Sequence, residues 1–119
     1  MTSLNVSNEV FDELLSAIET CKRWGFYELK NQYSFVEKAL INWGSVHHVD
    51  KNVLDSLVSN IKDMFNPNYC IVYESKKLIE INDKDEVNKY YKKNHYKIIQ
   101  LTLPDRIEKV KLYLISKRN

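Results

Sequence analysis

Residues 66–82, NPNYCIVYESKKLIEIN, separate two kinds of sequence. Before this stretch apolar residues recur every three or four positions, and within it they recur every second position. The triplet Asn66-Pro67-Asn68 is the break, because proline disfavours helical backbone in the residue before it and asparagine suits turns. Tyr69–Glu74 is then rich in β-branched and aromatic residues, Ser75-Lys76-Lys77 is a polar connection, and Leu78–Asn82 alternates. The two runs predict a β-hairpin, and a helical period giving way to a strand period predicts an α+β fold.

Upstream, three amphipathic helices are expected. The one nearest the break starts with Asp50 as N-cap and runs to about Phe65, with Leu54, Leu57, Val58, Ile61, Met64 and Phe65 on its apolar face. A second lies between about Tyr27 and Trp43, where Leu29, Tyr33, Val36, Leu40 and Trp43 recur in steps of four and three. The first runs from about Asn8 to Trp24, capped by Ser7 or Asn8, with Phe11, Leu14, Leu15, Ile18 and Cys21 on one face. The chain has two glycines, Gly25 and Gly44, and each follows a tryptophan at the end of an apolar pattern. Both are read as helix stops, since glycine reaches positive φ freely. The absence of glycine after Gly44 excludes most Gly-rich phosphate loops.

Downstream, Asp83 with Glu86 three residues on predicts a capped short helix ending near Lys93-Asn94. Tyr96–Leu103 reads as a strand and Pro104-Asp105 as a turn. The tail, residues 105–117, admits two readings: a helix started by Pro104 with Ile107, Val110 and Leu114 inward, or a strand in which Val110, Leu112 and Leu114 alternate with their neighbours. The strand is favoured. The expected architecture is therefore three N-terminal helices packed on a small, mostly antiparallel sheet of three or four strands with one short inserted helix. It forms a single domain over residues 1–119, with a helical half (1–66) and a sheet half (67–119).

A length of 119 residues suffices for one core. The start of the chain has no basic segment leading into an apolar one, and no apolar run approaches the ~20 residues needed to span a bilayer, so a cytoplasmic setting is expected. Cys21 and Cys70 lie far apart in apolar surroundings; they are read as buried thiols rather than as a disulfide or redox pair. Charge is uneven: residues 1–66 carry six Lys or Arg against nine Asp or Glu, and residues 67–119 carry twelve against seven.

The histidines are His47, His48 and His95. Their spacing, even with Asp50 or Cys70 added, does not make a zinc site, and no metal or cofactor is expected. Nucleophile-elbow, Walker-type and HExxH signatures are missing. A metal-independent ribonuclease would have to assemble His48, His95, Tyr96 and Lys97. A second reading is single-stranded nucleic-acid binding through the basic and aromatic cluster Lys89, Tyr90, Tyr91, Lys92, Lys93, His95, Tyr96 and Lys97, where lysines meet phosphate and rings stack on bases. The leading expectation is a protein-binding module whose acidic residues Glu9, Asp12, Glu13, Glu19, Glu28 and Glu37 meet a basic partner. In size, class and lack of a catalytic signature the chain is similar to small cytoplasmic immunity proteins, inhibitors that neutralise a basic toxin nuclease; no motif carries that likeness.

Overall fold

In a computed structural model, which describes residues 4–24, 29–74, 77–91 and 97–118, the chain is α+β and mostly helical. α1 (Asn8–Thr20) begins where the Ser7 hydroxyl accepts the Val10 N–H at 3.2 Å, satisfying a donor that the helix itself leaves free. Its end tightens into a 3-10 turn, Cys21–Trp24. α2 covers Leu29–Val46 and α3 covers Lys51–Lys62, followed by a 3-10 turn at Asp63–Phe65. The Asp50 carboxylate caps α3 by accepting the Asn52 N–H at 2.7 Å. Then come β1 (Cys70–Glu74), β2 (Lys77–Ile81), α4 (Lys84–Tyr91), β3 (Lys97–Gln100) and α5 (Leu103–Lys117).

The tail is α5, not the favoured strand. Thr102 Oγ1 accepts the Asp105 N–H and the Asp105 carboxylate accepts the Thr102 N–H, each at 3.2 Å, with Pro104 in the first turn. This capping box starts a helix where a turn was expected. Ile107, Val110 and Leu114 are fully buried, whereas Leu112 and Ile115 are exposed. A strand would have split the three buried residues between two faces; a helix puts them on one.

That helix changes the architecture. The three N-terminal helices do not stack on the sheet, because α5 supplies the surface their apolar faces need. Phe11, Leu14, Ile18, Val36, Leu40, Leu57, Ile61, Ile107, Val110 and Leu114 form one core between α1, α2, α3 and α5. The Leu4 N–H donates to the Lys117 carbonyl at 2.8 Å, pinning the start of the described chain to the end of α5. The described strands form a separate three-stranded antiparallel sheet, ordered β2-β1-β3. The fourth candidate strand does not form. Register places Cys70 opposite Ile81 and Val72 opposite Ile79, so these residues share the face that α4 covers with Val87 and Tyr90.

The joint between the two bodies is polar. Arg106, only 2% exposed, donates from Nη1 to the carbonyls of Met64 (2.9 Å) and Asn66 (2.8 Å) and from Nη2 to that of Tyr69 (3.5 Å). Lys109 Nζ lies 2.8 Å from Glu80 Oε1, and Asn66 Nδ2 donates to the Asn82 carbonyl at 3.2 Å.

Gly44 is not a helix stop. It lies inside α2, which continues to Val46, and a Cβ there would sit 2.3 Å from Leu54 Cδ1. Its smallness lets α3 approach α2. The stop is made by His48, at φ 55: the Val49 N–H returns to the Gly44 carbonyl at 2.9 Å and the His48 N–H to that of Ser45 at 3.4 Å. This is a Schellman closure with histidine in the left-handed position that glycine usually holds. Gly25, the other expected stop, lies outside the described residues.

Candidate functional site

α1 and α2 run antiparallel, so the start of α1 lies beside the end of α2. Trp43 fixes this arrangement: its indole N–H donates to the Val10 carbonyl at 2.8 Å. Where the two helices meet, Ala17 and Ala39 have no atoms beyond Cβ, and a cleft of about 400 Å³ remains between Glu13, Asn42, Trp43 and Val46. Its floor is apolar, and Val46 at its edge is 61% exposed. Glu13 is 63% exposed, and its Oε2 lies 2.7 Å from His47 Nε2. The His47 ring also lies against Trp43, with centroids 5.9 Å apart.

The acidic residues singled out from sequence separate into groups. Glu9, Asp12 and Glu13 are all exposed on the first turns of α1, at spacings that place them on one stripe. Among the described residues, neither Glu9 nor Asp12 has a lysine or arginine within ion-pair distance. Glu19, farther along α1, is neutralised: Lys111 lies 2.7 Å away and Lys22 3.0 Å away. These lysines, Lys111 first, hold its carboxyl below the ordinary range. Lys22 also bonds Glu108, completing a network in which two carboxylates meet two ammonium groups. Glu37 is on α2 and half-buried; the Tyr33 hydroxyl bonds to it, and burial followed by that bond pushes the Tyr33 pKa up to about 12. Glu28 lies outside the described residues.

The basic and aromatic cluster is placed only in part. Lys89 and Tyr91 are exposed on α4, while Tyr90 is half-buried against the sheet core. Lys97 opens β3 with its backbone opposite Tyr73. Lys92, Lys93, His95 and Tyr96 lie outside the described residues. For the ribonuclease assembly, His48 stands at the α2–α3 turn of the helical body and Lys97 in the sheet.

The pair His47-His48 divides its work: His48 closes α2 through its backbone and His47 faces Glu13. Among the described residues no group of three His, Cys, Asp or Glu side chains is arranged to hold a metal ion. Cys21 belongs to the helical core and Cys70 to the sheet core; both thiols are free, and burial pushes the pKa of each upward. Among the described residues no helix is long and apolar enough to cross a membrane.

Sequence reasoning missed His47, Trp43 and Val46 as parts of one cleft with Glu13. The signal was available, since Trp43, Val46 and His47 recur at helical spacing once α2 is carried past Gly44. It also missed Arg106, a cation beside the buried residue Ile107 on α5. Compared with protein-family models, with curated proteins and with solved structures, the chain matches none.

Proposed function

We propose that this protein is a binding module for a basic protein, docking through the exposed stripe of α1 and the adjoining α1–α2 cleft. One observation carries the reading. Glu9, Asp12 and Glu13 face solvent together with no lysine or arginine of the described chain within ion-pair distance, the nearby Arg118 being bonded to Asn8 and lying over the Phe11 ring, whereas Glu19, Glu80 and Glu108 are each matched by a lysine. Like charges three and four residues apart repel by roughly 0.2–0.5 kcal/mol per pair, and a cationic partner removes that penalty. An apolar floor beside a charged rim suits an interface in which contact area gives affinity and charge gives orientation and encounter rate. An inhibitor of a basic toxin nuclease is a partner relationship of this chemistry. The nucleic-acid reading has less support, because Tyr90 turns its ring toward the sheet core.

The test is site-specific photo-crosslinking in the native cytosol. A crosslinking residue at Ser16, exposed one turn beyond Asp12 and Glu13, is compared with one at Ser59 on the exposed side of α3. The reading expects a basic protein captured reproducibly from position 16 and not from position 59, with capture lost in Glu9→Lys/Asp12→Lys. Equal capture from both positions, or capture insensitive to the charge reversal, contradicts it.

A further inference from the structure

We propose that the α1–α2 cleft receives a lysine or arginine side chain of the partner, whose cationic head displaces His47 from Glu13. The proposal rests on the docking reading above and names what enters the cleft. Ala17, Ala39, Trp43 and Val46 offer an apolar path of the kind that the methylene stem of a long cationic side chain covers well. At the end of that path stands Glu13, the carboxylate of the lining. An acidic side chain would meet like charge there, and an apolar one would cover a carboxylate without pairing it. The stripe of Glu9 and Asp12 on the same helix extends the negative field outward and favours a cation from a distance.

His47 is the placeholder. Its Nε2 holds Glu13 Oε2 at 2.7 Å, and a guanidinium fork draws on both oxygens of a carboxylate, so a bound arginine competes with the imidazole for Oε2. Room exists for the imidazole to give way. His47 also lines a second cleft of about 250 Å³, bounded by Leu4, Val6, Val49 and Val53, and thus stands on the wall between two open spaces.

The experiment is a titration of the intact protein with N-acetyl-arginine methylamide, followed by NMR at the Trp43 indole N–H and the Glu13 and His47 amides, with N-acetyl-citrulline methylamide as the uncharged control. Saturable shifts confined to these groups are expected. Binding should weaken by roughly tenfold or more with citrulline or in Glu13→Gln, the loss of a charge-assisted pair. In His47→Ala binding should tighten, because the competitor is gone; a histidine with only a structural role predicts the opposite. Non-saturating or scattered shifts, an unaffected Glu13→Gln, or unchanged or weaker binding in His47→Ala overturns the proposal. Should these failures occur while position 16 still captures a basic protein, the docking reading stands without this pocket.

Discussion

His48 holds a backbone conformation that costs a side-chain-bearing residue about 1 kcal/mol, at a position where glycine is at ease. His48→Gly should therefore raise stability by up to about 1 kcal/mol, less the entropy glycine adds to the unfolded chain, measured by urea unfolding. Gly44 behaves in the opposite sense. Alanine there would place its Cβ 2.3 Å from Leu54 Cδ1 and 3.0 Å from Leu54 Cγ, so Gly44→Ala should destabilise by about 1–2 kcal/mol despite its better helix propensity. In a Leu54→Ala background the same change should become neutral or stabilising, and additivity in that cycle would refute the close-approach explanation. Gly44 was legible as a special position, but the reason for it was not. Sequence shows that a residue lacks a Cβ; only packing shows whether the gap serves a turn or a neighbouring helix.

At the scale of the element, α5 depends on its first turn. Thr102→Ala removes one arm of the capping box and should lower stability by about 1 kcal/mol. The tail was ambiguous in sequence because five apolar residues, Val110, Leu112, Tyr113, Leu114 and Ile115, fit either period. The capping sequence Thr102-Leu103-Pro104-Asp105 and the spacing of Ile107, Val110 and Leu114 would have decided it. α1 was readable throughout, since cap, acidic first turn and apolar face all agree. Its outer stripe gives a further prediction. Asp12→Ala should leave stability unchanged or raise it by a few tenths of a kcal/mol, because it relieves repulsion with Glu9, while partner binding weakens. A clear loss of stability would mean that Asp12 serves the fold.

At the scale of the molecule, a helical body and a sheet body meet at Arg106. Arg106→Met withdraws the guanidinium from the carbonyls of Met64, Asn66 and Tyr69, of which that of Asn66 keeps the Tyr69 N–H, and the loss should be about 3 kcal/mol. Lys109→Met breaks a pair whose glutamate is half-exposed and should cost no more than about 1 kcal/mol. Stability should also depend on pH through the surface network. Glu19, Glu80 and Glu108 have folded pKa values below the ordinary 4.5, so their contribution is present above that value and is lost as pH falls through the depressed ones. Lys22 and Lys111 lie above the ordinary 10.5 and Tyr33 is raised to about 12, so theirs is present below the ordinary values and lost as pH rises through the raised ones. The buried thiols of Cys21 and Cys70, raised from 9.0, act in the same sense, so the Tm should be flat between roughly pH 5 and pH 8 and fall on both sides. The α+β class and the hairpin were visible in sequence. The division into two cores was not, because it depends on α5 returning to the first three helices across the whole sheet insertion.

The most direct measurement of the central claim is the association rate of the partner captured at position 16, for wild type and for Glu9→Lys/Asp12→Lys, at about 20 mM and about 150 mM salt. A docking surface steered by α1 predicts a rate at least roughly tenfold lower for the variant at low salt, with the difference shrinking at high salt and dissociation little changed. Equal rates that ignore salt would contradict it.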